Sequence, residues 1–180
     1  MFARLMKIFI DCSEEFINNE RNLILSGVSE RCLCGSLMII INRAISNTEF
    51  EAYFTDIEYN RNFDGRIKTI IDDDMEIINI TCDLIVHSRG QIQENDNLIA
   101  IEMKRDNHPE SEKNKDRIRL RALTKKTNDS FTYSSDGKTF PQYVCGYYVG
   151  IFYEISLIER KINIEYYREG ELYKEYTRVF

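Results

Sequence analysis

The sequence predicts a mixed α/β domain whose β-sheet is flanked by helices, and three observations point there. Apolar residues recur at helical spacing through the first 46 positions. Apolar runs of strand length follow at 50–61, 77–87 and 98–104. A further helical stretch then separates these runs from two aromatic, β-branched segments near the C-terminus. The predicted order is α-β-β-β-α-β-β, with an extra N-terminal helix in front. A helix crossover after the third strand fits a mixed sheet. A length of 180 residues suits one domain, with residues 1–27 as a helical extension and 28–180 as the core.

Phe2, Leu5, Met6, Phe9 and Ile10 give the first helix its stripe, and Ser26-Gly27 supplies a stop near its end. The same opening is faintly like a signal peptide, but Lys7 and Asp11 interrupt it and no small-residue cleavage site follows. Ser29 is an N-cap candidate for a helix over 29–46, with Leu33, Leu37, Ile40, Ile41 and Ala44 on its apolar side. Alternation over 50–61 predicts the first strand. The segment 62–76, with Asp72-Asp73-Asp74, reads as a solvated excursion that lacks the glycine and terminal glutamate of an EF-hand. The second strand is expected over 77–87, a polar hairpin connection over 89–97, and the third strand over 98–104. A helix over 111–126 should bury Ile118, Ala122 and Leu123. The stretch 127–142 is polar, with a turn signal at Asp136-Gly137. Strands are expected over 143–157 and 161–173.

Composition excludes several classes. With 43% hydrophobic and 30% charged residues and only two prolines, the chain reads as an ordinary soluble domain rather than a disordered one. No apolar run approaches a membrane span. Five scattered cysteines without a CxxC pair, and two histidines without zinc-finger spacing, argue against a structural zinc site and fit a reducing, cytoplasmic setting. A net charge of −6 argues against a general nucleic-acid coat, although seven bases and one acid between residues 113 and 126 polarise it.

The chemistry concentrates in two strands. In Asn97-Leu98-Ile99-Ala100-Ile101-Glu102-Met103-Lys104, Glu102 and Lys104 are two residues apart. They therefore share a face, ~6.6 Å apart along the strand. The preceding run, Ile78 to His87, carries Asp83. Charges inside apolar strands are costly unless compensated. Asp83, Glu102 and the backbone carbonyl of Met103 form an oxygen set suited to Mg²⁺, for which Mn²⁺ can substitute. Lys104 would orient the attacking water or neutralise a phosphate as a point charge.

Asp83 followed by Glu102-Met103-Lys104 resembles the fingerprint of the PD-(D/E)XK, or restriction-endonuclease-like, nucleases, over roughly residues 29 to 155. Cys82 stands where that motif has proline. Ser29-Glu30-Arg31, Asp56-Ile57-Glu58-Tyr59-Asn60-Arg61 and Lys115-Asp116-Arg117 resemble a prokaryotic branch of that superfamily. The resemblance implies a restriction-endonuclease-like core and a metal-dependent nuclease acting on DNA or RNA. It also implies Glu30 as a further metal ligand, though an acid in a helix's first turn has a simpler reading through the dipole.

Lys113, Arg117, Arg121 and Lys125 repeat every four residues as one stripe, either a phosphate-contacting surface or a solvated helix face. Glu58 either projects toward the site or pairs with Arg61, and His87 reads as a strand-end residue. The competing function is a non-catalytic nucleic-acid-binding or interaction module that keeps the fold. A homodimer is compatible with cutting two strands.

Overall fold

The computed structural model of the chain describes residues 1–61, 69–71, 77–79, 81–92, 95–126 and 144–180. The N-terminal stripe forms two helices, α1 (Phe2–Asn19) and α2 (Arg21–Leu25), and Gly27 leaves them in the left-handed region at φ +76. Ser29 caps α3 (Glu30–Ile45) as expected, its hydroxyl accepting the Cys32 N–H at 3.3 Å. Strand β1 is only Phe54–Ile57, because Thr48 to Tyr53 close into turns held by the Thr48 hydroxyl.

The expected second strand is two separate pieces. β3 (Ile77–Asn79) pairs with β2 (Thr69–Ile71) in a small hairpin, while β4 (Leu84–His87) joins the main sheet. Asp83 therefore stands just before β4 rather than inside a strand. The reason is local: its Oδ2 accepts the Met103 N–H at 2.8 Å, so a side chain replaces the next backbone partner and the ladder stops. The Asp72-Asp73-Asp74 run and the Asp136-Gly137 turn lie outside the described residues.

β5 (Asn97–Arg105) is the centre of a six-stranded sheet of order β1-β4-β5-β6-β7-β8. Helix α4 (Glu110–Thr124) crosses over to β6 (Val149–Ser156), which makes β5 and β6 parallel. All other neighbours in the sheet are antiparallel. The late region holds three strands, not two. β7 (Lys161–Arg168) turns at Glu169-Gly170, both at positive φ, into β8 (Glu171–Val179). β8 is exposed on nearly every residue and mixes charges with apolar residues on both faces, so no apolar alternation announced it.

Alternation along the strands divides the core in two. Ile99, Ile101, Met103, Ile151, Tyr153, Ile164 and Tyr166 meet Leu5, Phe9, Phe16, Leu33, Leu37 and Ile41 of α1 and α3. The other face, with Ile85, Ala100, Phe152 and Tyr167, meets Leu120, Ala122 and Leu123 of α4. The protein is thus a mixed α/β fold with a mostly antiparallel sheet flanked by helices.

The phase of α4 differs from expectation, since Ile118 is 41% exposed while Lys113 and Asp116 are buried. Polar anchoring sets that phase. Lys113 Nζ reaches the Asp106 carbonyl at 2.8 Å and Glu154 Oε1 at 2.6 Å. Gly150 lets the helix end approach the sheet: a Cβ there would meet Thr124 Cγ2 at 2.9 Å.

Candidate active site

The register of β4 on β5 pairs Leu84 with Ile101 and Ile85 with Ala100. Extending it by one step puts Asp83 opposite Glu102, and both lie two residues along from the Ile85–Ala100 pair that faces α4. Lys104 follows on the same face at the C-terminal end of β5. The sequence-predicted trio is therefore brought together, at the place where β4 ends and β5 runs on. The N–H and C=O of one strand residue point to the same edge. Because the Met103 N–H meets Asp83, the Met103 carbonyl faces that edge too.

Glu102 is 1% exposed. Its Oε1 accepts the Arg119 Nε–H at 2.9 Å, and its Oε2 has no hydrogen-bond partner among the described residues. Burial pushes its carboxyl up to about 8, helped by the adjacent Asp83 charge and opposed by Arg119. With only protein groups around it, a proton is the easiest relief for this repulsion. Burial likewise raises Asp83, and the Met103 N–H and Lys104 pull it back. For Lys104, burial alone would lower the ammonium, but the Asp116, Asp83, Glu30 and Glu102 charges outweigh it and raise it. Lys104 is consequently a cation here and not a base.

Glu30, from the first turn of α3, does reach this cluster. Its Oε1 takes the Arg105 N–H at 2.8 Å and faces His108 Nε2 at 3.1 Å, while Oε2 lies 3.9 Å from Lys104 Nζ. It borders the site with its oxygens already engaged. Glu58 pairs with Arg31 at 2.9 Å, not with Arg61. His87, 1% exposed, bonds Asp56 Oδ2 at 2.9 Å, and Arg89 grips the same carboxylate from outside. That group belongs to the β1–β4 edge.

Comparison of the chain with family models, with curated proteins and with solved structures found no match. The chemistry of the site rests on its own residues.

Two further residues had no site role in the sequence reading, although Asp116 stood in the Lys115-Asp116-Arg117 motif. Asp116, 3% exposed on α4, lies 3.4 Å from Lys104 Nζ through Oδ2, and that oxygen has no hydrogen-bond partner among the described residues. Arg119 forms an ion pair with Asp116 Oδ1 while holding Glu102. Asp116 lies four and seven residues before Leu120 and Leu123, so it is an acid on the apolar stripe of a basic helix. That was the available signal.

The basic stripe itself has protein partners. Lys113 pairs with Glu154, Arg117 with Glu165 and Glu110, and Arg121 with Glu171 at 3.0 Å. The Arg117 guanidinium also lies 4.4 Å over the Phe152 ring. Lys125 is half-buried near Gly170. Three of the four side chains thus fasten α4 to the sheet.

Among the described residues no three His, Cys, Asp or Glu side chains are placed to hold a metal ion by themselves. Mg²⁺ asks for less, since one or two carboxylates with water commonly suffice. Asp83, the Glu102 Oε2 that has no hydrogen-bond partner among the described residues, and the Met103 carbonyl would offer the hard oxygen donors that such an ion prefers. Among the described residues no helix is long and apolar enough to cross a membrane.

Proposed function

We propose that this chain is a Mg²⁺-dependent phosphodiesterase acting on DNA or RNA, with a restriction-endonuclease-like core. One observation carries the reading. Asp83 lies beside Glu102 where β4 ends, its carboxylate on the Met103 N–H, Lys104 follows two residues on, and a fully buried Glu102 oxygen has no hydrogen-bond partner among the described residues. A structural Glu–Lys surface pair would not bury the acid. In this reading Asp83, Glu102 Oε2 and the Met103 carbonyl hold the ion, with Glu30 as an outer group. When bound, a divalent ion stabilises charge on the scissile phosphate and makes bound water more acidic.

The protein's own residues do the positioning. Asp116 and Glu30 hold the Lys104 ammonium over the two acids, where it meets an incoming phosphate and donates a hydrogen bond to the attacking water. Because Lys104 stays charged, it acts as an electrostatic group and not as the base. Cleavage of plasmid DNA, single-stranded DNA and RNA with Mg²⁺ or Mn²⁺ tests the proposal. Activity should vanish in Glu102→Ala and Lys104→Ala while both variants melt cooperatively. Equal cleavage by wild type and both variants would refute it.

A second reading is a non-catalytic nucleic-acid-binding or interaction module, with a homodimer as one form. It is favoured by the internal neutralisation of the site, since Arg119 pairs with both Glu102 and Asp116. Calorimetric titration with Mn²⁺ separates the two: a module should show no binding that depends on Asp83.

A further inference from the structure

Glu102 presents two oxygens to two different neighbourhoods. Oε2 is the buried atom, without a hydrogen-bond partner among the described residues, of the acid that lies beside Asp83. Oε1 is taken by Arg119, whose guanidinium also reaches Asp116 Oδ1 three residues back along α4. Asp116 in turn keeps a second oxygen that has no hydrogen-bond partner among the described residues and lies 3.4 Å from Lys104. Glu102 and Asp116 are therefore a buried carboxylate pair beside the pair that Glu102 forms with the half-buried Asp83. Their side chains are 1% and 4% exposed. Metal-dependent phosphodiesterases often place two ions about 3.5–4 Å apart, sharing a carboxylate between them. Here the side of Glu102 that would be shared already has a cation on it.

We infer that Arg119 is a built-in substitute for a second metal ion, so that this site takes one divalent cation and one guanidinium. The inference rests on the phosphodiesterase reading and specifies its metal content. A guanidinium carries a fixed charge, has five donors in a planar fork and accepts nothing, so it bridges two carboxylates as an ion would. Unlike an ion it cannot bind or leave. It also keeps Glu102 oriented while the other half of the site is empty, because Nε holds Oε1 whatever Oε2 does. Arg119 is 23% exposed, so its outer edge remains open to a substrate phosphate.

The test is calorimetric titration of Mn²⁺ into the full chain at neutral pH, with thermal unfolding in EDTA and in Mn²⁺ as a second readout. Wild type should bind one Mn²⁺ per chain, and Asp83→Asn should lose it. Arg119→Gln, which removes the charge, should unfold at lower temperature in EDTA, gain more from Mn²⁺ than wild type does, and bind two ions. Adding Asp116→Asn to that variant should return the count to one. Arg119→Lys, which keeps a cation, should stay at one and serves if Arg119→Gln does not fold.

Two ions in wild type, or two in Arg119→Lys, would overturn the inference and leave the phosphodiesterase reading standing. So would an Arg119→Gln protein that folds, binds one ion and responds to Mn²⁺ as wild type does. No Asp83-dependent binding in wild type would remove both.

Discussion

Replacing Glu102 by glutamine should flatten the fall of stability with pH across the neutral range. The carboxyl is fully buried, and burial with the adjacent Asp83 charge pushes it from the ordinary value of 4.5 up to about 8 in the folded protein. Between those values the folded chain holds a proton that the unfolded chain has released. Stability therefore falls as pH rises, starting near the unfolded value and ending once the folded carboxyl has ionised. For one group this linkage amounts to about 3–5 kcal/mol. Asp83 and Asp116 are also raised by burial and add to the same slope. Asp56 and Glu154 are lowered and oppose it, but they are common to both proteins.

Glutamine keeps the shape and can still accept Arg119 through its carbonyl. Near pH 5, where Glu102 is neutral in the folded state, variant and wild type should differ by only about 1 kcal/mol. Near pH 8.5 the variant should be the more stable by several kcal/mol in EDTA, on the order of the linkage above. Urea unfolding at both pH values measures this directly. Mn²⁺ should restore wild type at the higher pH, since an ion bound only by the folded state stabilises it. Parallel profiles for the two proteins in EDTA would show that Glu102 is not a carboxyl burdened by Asp83, and the electrostatic account of the site would fail with it.

Other outcomes follow from single contacts. Gly150→Ala should destabilise the protein by about 1–3 kcal/mol in urea unfolding, because the added methyl meets Thr124 Cγ2 at 2.9 Å and Tyr167 Cβ at 3.1 Å. Ser29→Ala should cost about 1 kcal/mol through loss of the α3 cap, and it should shift Glu30 enough to weaken the proposed Mg²⁺-dependent cleavage. Arg117→Ala should cost about 1–2 kcal/mol by removing the Glu165 pair and the stack on Phe152. Because that guanidinium serves the fold, the salt dependence of the proposed nucleic-acid binding should change little, as a filter-binding series would show.

Much of the frame was legible in the sequence because it obeys simple periods. The stripes of α1 and α3, the Ser29 cap and the alternation of β5 all follow from side-chain spacing, and they appear where expected. The face shared by Glu102 and Lys104 follows from the two-residue period of a strand alone. β8 was hidden because an exposed edge strand needs no apolar alternation. The split between β3 and β4 was hidden because a side chain, Asp83, ends the ladder where propensity would continue it.

What the linear chain determined by itself is therefore where α1, α3, α4 and β5 fall and which residues of a strand share a face, since both depend on neighbours a few positions apart. What only the tertiary structure decided is what stands across from each face. The placement of Asp83 opposite Glu102 is a matter of inter-strand register. The phase of α4 is set by Lys113 and Asp116 finding half-buried counter-charges on the sheet, which turned the basic stripe inward and brought Arg119 onto Glu102. Such pairings are electrostatic matches between distant segments, so no local pattern encodes them.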